Sequence, residues 1–415
     1  MRILSLSLEN IGPFDKAELQ FIADPEQEKS PVTLITGENG AGKSIILDAI
    51  RGMFGNYYRT LERAIWRENV AFRVAMDVLF AGKRGVLDSQ KIGRARTFNV
   101  AELSNPAVVA VYGAPADIPQ QGLRPDFVTD FWRTSQATDS YDIQGFTRID
   151  HRNLLAGSLQ GTYSNKEVTN LICSFDYFRD AHVPQDKRRG EVLFDVMVRI
   201  FKLSLLDGHF DEVDRLNFTP MVFQSGQRVP LANVSGGNAY LIQHMISLLG
   251  KMFSYHVLRG TEPEEICNAP GLLLIDEAEN CLHPRWQKRF LTNVQSIFPN
   301  LQIIATTHSP FILSSVENAR VFVCRFDGKS SVVSDETDDY ANQPIDEILL
   351  SRAFDGTQPF SAAISKLLKA RKDAIKREDM DLRRQIEAQL VEKNPEYFSY
   401  FAVDERLDVI RAGAR

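Results

Sequence analysis

The chain has 415 residues, of which 44% are hydrophobic and 25% charged, and its formal net charge is −6. This composition is typical of an ordinary globular protein with enough material for roughly two or three domains. The acidic balance argues against a surface coated with basic residues for nucleic acid, although it allows a local basic stripe.

Cysteine spacing and hydropathy argue against secretion and membrane insertion. The four cysteines lie far apart without a CxxC pair, so we expect reduced thiols. The N-terminal stretch MRILSLSLEN alternates apolar and polar residues, which indicates a strand and not a signal peptide. No apolar run approaches the roughly 18 residues of a membrane span. These features predict a cytoplasmic protein with no membrane partner.

The hydropathy pattern predicts a β-rich first part, a helical middle and a second β-rich part. Strands are predicted at 2–8, 17–22, 32–36, 71–80 (with an antiparallel layer continuing toward 100) and 107–113. A helix is predicted at 44–54, helices from about 125 to 215, a hairpin at 218–234 turned at Ser225-Gly226, and a helix after Ser235. Uninterrupted apolar runs begin GLLLIDEAE (271–279), LQIIATTHSP (301–310) and RVFVCRF (320–326), and a charged helical tail starts at 342. Such runs alternating with helices predict a parallel sheet covered on both faces, hence an α/β fold.

GENGAGKS at 37–44 fits the phosphate-binding pattern G-x-x-x-x-G-K-[ST] between a predicted strand and a predicted helix. Backbone N–H groups of such a loop surround phosphates, and the helix N-terminus adds a positive field. We expect Lys43 to reach the β- and γ-phosphates and Ser44 to bind Mg²⁺. The predicted ATP-binding residues of this loop are Gly37, Glu38, Asn39, Gly40, Ala41, Gly42, Lys43 and Ser44.

Polar residues follow two of the later predicted strands. Asp276 and Glu277 end LLLIDE, and we expect Asp276 to hold Mg²⁺ through water and Glu277 to polarise the attacking water. His308 follows the next strand and should face the same edge, since ligands collect at the carboxyl ends of parallel strands. It is predicted to contact the γ-phosphate. His283 is interpreted as structural.

VSGGN, at 234–238, predicts a second anion site, because Ser235, Gly236 and Gly237 begin a helix with free N–H groups. The P-loop already serves one nucleotide in each chain. A second phosphate-binding turn is therefore expected to contact the nucleotide of another copy.

The set GENGAGKS, VSGG, LLLIDEAENCLHP and TTHSP resembles the head of ATP-binding-cassette (ABC) ATPases, within the SMC, RecF and OLD branch. LENIGPF at 8–14 is similar to the openings of that branch, and the resemblance covers 1–55 and 218–325. It implies a P-loop NTPase fold with a mixed central sheet, an antiparallel β lobe, an inserted helical lid and a helical tail. It also implies two heads that sandwich ATP, with Ser235 and Gly237 acting on the partner's nucleotide. Asn238 stands where the family usually has glutamine or glutamate, and the Q-loop glutamine has five alternatives: Gln90, Gln120, Gln121, Gln136 and Gln144.

Four segments are predicted on this basis. They are an N-terminal lobe with the P-loop (1–115), an inserted helical lid (116–217), a C-terminal lobe with signature, Walker B, D-loop and H-loop (218–335), and a charged tail (336–415). The tail resembles the end of standalone ATPases encoded beside a nuclease in bacterial antiphage systems, Septu-type among them. Its apolar residues predict a stripe for packing on its own head or for docking a partner: Ile364, Leu368, Ile375, Leu382, Ile386 and Leu390.

The resemblance implies an Mg²⁺-dependent ATPase whose homodimer or higher homo-oligomer controls a separate nuclease subunit of HNH or Toprim type. One alternative is a RecF-like DNA-repair or recombination ATPase that binds DNA directly, whose marker is ATP-dependent, salt-sensitive DNA binding without a partner. The other is the nucleotide-binding subunit of a transporter, which ENCLHP disfavours because transporter heads lack this stretch.

Overall fold

The computed structural model describes residues 1–25, 31–54, 70–80, 82–92, 95–99, 125–135, 137–145, 147–205, 207–340, 343–351, 354 and 360–401. The chain divides into two compact units, Met1–Ile345 and Asp346–Arg415. The strand predicted at 107–113 lies outside the described residues.

The centre of the first unit is a six-stranded sheet in the order β14-β13-β3-β12-β11-β7. Its strands are β3 (Val32–Gly37), β7 (Val128–Trp132), β11 (Gly271–Ile275), β12 (Leu301–Thr306), β13 (Arg320–Phe326) and β14 (Ser331–Asp335). All neighbours are parallel except β13 and β14. Strands β3, β11 and β12 are buried along their whole length, as their uninterrupted apolar runs predict. The carboxyl ends of these three strands therefore meet at one edge.

A second, antiparallel sheet has the order β2-β1-β4-β5-β6. It contains β1 (Arg2–Ile11), β2 (Phe14–Gln20), β4 (Arg73–Phe80), β5 (Lys83–Ile92) and β6 (Ala95–Asn99). One hydrophobic core joins this sheet to the central sheet and to helix α1 (Lys43–Gly52). Leu8 of β1, Ile46 of α1 and Ile304 of β12 are all fully buried in it. This core fixes α1 beneath the strand ends.

The rest of the first unit is mainly helical, with one small sheet. The helices are α2 (His151–Ala156), α3 (Asn165–Arg179), α4 (Pro184–Ser204), α5 (Gly236–Arg259), α6 (Pro284–Gln287), α7 (Phe290–Ile297), α8 (Pro310–Leu313), α9 (Thr337–Tyr340) and α10 (Ile345–Leu350), the last crossing into the second unit. The small sheet has the order β10-β9-β8, from β8 (Gly208–Asp214), β9 (Thr219–Gln224) and β10 (Gln227–Pro230). The predicted hairpin is confirmed, with positive φ at Ser225 and Gly226.

The prediction of helices throughout 125–215 is wrong at two strands. Residues 128–132 form β7, which pairs in parallel with β11, and residues 208–214 form β8. A five-residue strand is too short for a periodicity search, and VTDFW carries Asp130 in its middle. All five residues of β7 are nevertheless buried. Partners distant in sequence, not the local pattern, hold this strand in the sheet.

The second unit contains α11 (Ala362–Lys376), α12 (Met380–Lys393) and α13 (Pro395–Phe398). Its core is formed by Ile386, Leu390, Phe398 and Phe401, with Ile364 and Leu368 packed against it. The single apolar stripe predicted for this tail is wrong in part. The helix breaks after Lys376, and Ile375 and Leu382, on either side of the break, are 43% and 40% exposed.

Among the described residues, no helix has both the length and the apolarity needed to cross a membrane. All four cysteines are free thiols, as their spacing predicts. The predicted fold class is confirmed: the chain has an α/β P-loop ATPase-like fold, with a mixed central sheet, an antiparallel lobe and additional helices.

Candidate nucleotide site

The loop between β3 and α1 requires glycine at two positions. Gly37 and Gly42 have φ angles of 131° and 99°, in the left-handed range that favours glycine. A Cβ atom on Gly37 would lie 1.9 Å from the carbonyl oxygen of Cys324, and one on Gly42 would lie 2.6 Å from the Phe14 ring. The glycines predicted from the P-loop pattern thus meet both a conformational and a steric requirement.

Lys43 lies beneath this loop. Its side chain is buried, and Nζ donates hydrogen bonds to the carbonyl oxygens of Gly37 at 2.9 Å and Glu38 at 2.7 Å. Burial lowers the pKa of Lys43, and the carboxylates nearby oppose that shift. A cation held at the loop by its own carbonyls is placed for an anionic ligand.

Asp276 connects the ends of three chain segments. Its Oδ1 accepts from Ser44 Oγ at 2.9 Å and from Thr306 Oγ1 at 2.7 Å. Thr306 Oγ1 in turn accepts from the backbone N–H of Glu277 at 2.8 Å. The start of α1 and the ends of β11 and β12 are therefore joined through side chains.

Glu277 and His308 line one cavity with the P-loop. The cavity has a volume of about 220 Å³ and is lined by Asn39, Gly40, Gly42, Lys43, Ser44, Ile45, Glu277, Thr306 and His308. Glu277 is exposed and adopts a left-handed φ of 53°, which turns the chain sharply after β11. Burial and the nearby Asp276 raise the pKa of Glu277, whereas burial and Lys43 lower the pKa of His308. A carboxyl made more basic and a neutral imidazole thus share the cavity with the lysine.

Sequence reasoning missed two residues that organise this edge, Thr306 and Glu279. Glu279 accepts from Thr307 Oγ1 and from the backbone N–H of His308, both at 2.6 Å. Ser309 Oγ donates to Gln287 Oε1 at 2.5 Å, so a second side chain ties the segment after β11 to the segment after β12. The sequence feature that could have identified these residues is the run of polar residues that directly follows each apolar strand.

The turn at Ser235 stands apart from this cavity. Ser235 is the N-cap residue of α5, and both Ser235 and Gly236 are exposed. Within the described part of the chain, residues 235–237 are not among those lining the cavity. A Cβ atom on Gly237 would lie 2.3 Å from the carbonyl oxygen of Cys281, so this turn packs against the loop that follows Glu277.

Helix α5 is fixed to strand β7 by a buried ion pair. Lys251 Nζ lies 2.7 Å from Asp130 Oδ1, with the two side chains 6% and 1% exposed. Asp130 also accepts from Trp132 Nε1 and Tyr163 OH, both at 2.9 Å. The helix that begins at Ser235 is therefore connected to the strand beside β11.

His283 has the structural position that the sequence indicates. It is the N-cap residue of α6, and its Nδ1 accepts from the backbone N–H of Arg285 at 3.3 Å. Of the alternative Q-loop glutamines, Gln120, Gln121 and Gln136 and the side chain of Gln90 lie outside the described residues. Gln144 is described and does not line the cavity.

A family model described as "AAA domain, putative AbiEii toxin, Type IV TA system" matches residues 32–314, which include the P-loop, Asp276 and His308. The chain belongs to this family. The match begins at β3 and ends just beyond α8, so it covers the whole nucleotide site described above.

Two curated relatives of this AAA-domain chain are a retron "probable ATPase" and a Septu protein. It is 26% identical over 164 residues to "Retron Vc95 probable ATPase" of Vibrio cholerae serotype O1 biovar El Tor, covering 39% of this chain and 31% of that protein. It is 25% identical over 328 residues to "Septu protein PtuA" of Bacillus thuringiensis, covering 75% of this chain and 73% of that protein. The match to the retron protein thus spans less than a third of that protein's length. The predicted relationship to Septu-type ATPases is confirmed.

Solved structures similar to this AAA-domain chain include SMC heads. The SMC head domain from Thermotoga maritima is 16% identical with a TM-score of 0.46, covering 81% of this chain and 99% of that one. An SmcHead bound to the C-winged helix domain of ScpA is 16% identical with a TM-score of 0.49, covering 81% of this chain and 98% of that one.

Proposed function

We propose that this chain binds ATP with Mg²⁺ and hydrolyses it. The observation that supports this most directly is the hydrogen-bonded line from Ser44 through Asp276 to Thr306, at the edge of a loop that holds Lys43. P-loop enzymes use these same parts for phosphoryl transfer: a glycine-rich loop, its lysine, a hydroxyl group and a carboxylate at the end of a strand. The names of the relatives, which include a "probable ATPase", agree with this activity.

The oxygen atoms at the edge fit Mg²⁺. Ser44 Oγ and Asp276 Oδ1 are hard oxygen ligands 2.9 Å apart, the type of ligand that Mg²⁺ takes from proteins beside substrate phosphates. We propose that these two residues hold the ion, Asp276 through water. When bound, Mg²⁺ supplies neutralisation of phosphate charge. Lys43 adds a fixed positive charge on the loop side of the same phosphates.

Glu277 is the proposed general base. Its carboxyl follows β11 directly, and the hydrogen bond from its backbone N–H to Thr306 fixes the position of the residue beside Asp276. Its raised pKa makes the carboxylate a stronger acceptor for a proton from water. His308, kept neutral by its lowered pKa, is proposed to donate a hydrogen bond to the γ-phosphate.

Ser235, Gly236 and Gly237 are proposed to complete the site of a second copy. They stand at the N-terminus of a helix of 24 residues, where the helix dipole suits a phosphate. Because these residues do not line the nucleotide cavity of their own chain, their proposed ligand is the nucleotide of another chain. We therefore propose a homodimer, or a higher homo-oligomer, that closes around ATP.

The closed state is proposed to control a separate nuclease of HNH or Toprim type in antiphage defence. The support is the relationship to "Septu protein PtuA" and to the retron protein. The exposed Ile375 and Leu382, at the break between α11 and α12, offer apolar side chains for docking. An HNH or Toprim gene beside the gene for this chain is expected, and its product should co-purify with the chain. A replication or repair operon in that place would instead favour the RecF-like alternative.

Glu277→Gln tests hydrolysis and closure together. Loss of a general base lowers turnover by roughly 100-fold or more, while the P-loop still binds ATP. ATPase rates, ATP affinity and mass photometry at saturating ATP should show a slow variant trapped as a dimer or larger oligomer. Glu317→Gln is the matched control, since Glu317 is an exposed carboxylate without an ion-pair partner among the described residues. A Glu277→Gln protein that stays monomeric at saturating ATP would refute the closed pair.

A further inference from the structure

A second cavity, separate from the nucleotide site, is lined by three basic side chains. Its volume is about 170 Å³, and its walls include Lys202 near the end of α4, Arg285 of α6 and Arg289 just before α7. All three are exposed. Asp207 is the one acidic residue among the described residues that line it. The cavity therefore has an excess of positive charge on a chain whose net charge is −6.

Among the described residues, no acidic side chain neutralises these three cations. Across the described residues, the side chains of Lys202, Arg285 and Arg289 have no ion pair, whereas Arg188 and Arg259 each pair with an acid. Asp207 also has no ion pair in the described part of the chain. Three exposed cations around one concave site give it a locally positive potential that attracts an anion. Lys288, which is exposed beside Arg289, extends the positive region.

The remaining walls suit a phosphate group. Asn293 adds an amide, and guanidinium groups match phosphate oxygens with two parallel hydrogen bonds. Trp286 also lines the cavity; its side chain is 7% exposed, and its buried Nε1–H has no hydrogen-bond partner in the described structure. The indole thus contributes a rigid aromatic wall to the cavity.

A nucleic-acid backbone fits this cavity better than an acidic protein does. None of the large exposed hydrophobic residues in the described part of the chain lines this cavity, so the cavity offers no exposed apolar anchor to a protein partner. Backbone binding needs only spaced cations and hydrogen-bond donors. We propose that Lys202, Arg285 and Arg289 bind phosphates of a nucleic-acid strand, in a site that is complete within one chain and does not require ATP.

Fluorescence anisotropy with a short labelled DNA duplex, and in parallel with a labelled single-stranded RNA, tests the site in the full-length chain without nucleotide. Arg285→Gln with Arg289→Gln should lower affinity at least tenfold. It should also reduce the slope of log affinity against log salt by roughly 2, about one for each lost phosphate contact. The matched control is Arg152→Gln with Lys166→Gln, which removes two exposed cations on α2 and α3 and leaves the slope unchanged.

Three outcomes would overturn the proposal. They are no retention of either probe at low salt, an equal loss in the control variant, and an unchanged salt slope in the Arg285/Arg289 variant. Lys43→Ala separates this site from the proposed ATPase: it should lose ATP binding and retain nucleic acid as the unmodified chain does. Loss of both activities in Lys43→Ala would also contradict a site that is independent of the P-loop.

Discussion

Replacing Lys251 by methionine should destabilise the first unit strongly, although the side chains have similar length. The change removes the charge that faces Asp130 at 2.7 Å, where the carboxylate is only 1% exposed. Trp132 and Tyr163 still donate to Asp130, but no positive charge remains beside it in the described core. Breaking a buried pair by removing one partner costs about 3–5 kcal/mol, because an uncompensated charge stays buried.

Urea unfolding followed by tryptophan fluorescence is the assay, since the indole of Trp132 is bonded to Asp130. Asp130→Asn combined with Lys251→Met should lose less stability than the sum of the single variants, by about 2 kcal/mol, as expected for residues in contact. Lys16→Met is the control, because Lys16 and Glu18 form an ion pair with 65% and 67% exposed side chains. Its midpoint should not change. If the urea midpoint of Lys251→Met were as high as that of Lys16→Met, the buried ion pair would not stabilise the fold as expected.

Three further predictions concern the pH dependence of activity, the pH dependence of stability and the steric effect of replacing a glycine. Because burial and Asp276 raise the pKa of Glu277 in the free chain, the acid limb of kcat/KM for ATP hydrolysis should lie above the ordinary range of a glutamate, and ATP binding should show no such limb. Burial lowers the pKa of His244 from 6.5 to about 4, so the folded chain keeps it neutral while the unfolded chain takes up a proton. Stability should therefore fall as the pH drops from 6.5 toward 4, by up to about 3 kcal/mol, and His244→Gln should flatten a plot of unfolding free energy against pH. Gly37→Ala should abolish ATP binding and lower the melting temperature, since the new Cβ would lie 1.9 Å from the Cys324 oxygen. Gly82→Ala, at a φ of 78° with open space around it, should cause only the smaller loss due to backbone strain.

Local patterns predicted the parts of the fold whose causes are local. The P-loop and the hairpin at Ser225-Gly226 depend on glycine and turn chemistry within a few residues. The apolar runs at β3, β11 and β12 depend on burial along the whole strand, which composition shows directly. The predicted strands 2–8 and 71–80 overlap the observed β1 and β4, because the alternating burial of these two strands produces the period-two pattern of the sequence.

The features that sequence reasoning missed have partners far away in the chain. Strand β7 contains Asp130, whose charge is compensated by Lys251, 121 residues later. Thr306 is ordinary in sequence, and only the parallel pairing of β11 with β12 brings it to Asp276. The apolar stripe predicted for the tail was too long because the three- and four-residue spacing of apolar side chains continues past Glu378. At Glu378 the positive φ ends the helical path. Periodicity alone does not register such a backbone reversal.

The close approach of Gly237 to the carbonyl of Cys281 has a consequence for how a pair of heads would communicate. In one chain, the turn proposed to contact a neighbour's triphosphate packs against the segment that follows that chain's own proposed general base, Glu277. A displacement of either element would therefore press directly on the backbone of the other. In the proposed pair of heads, this contact would couple nucleotide binding at one site to the state of the other site. Any side chain at position 237 would meet the Cys281 carbonyl and force these two segments apart.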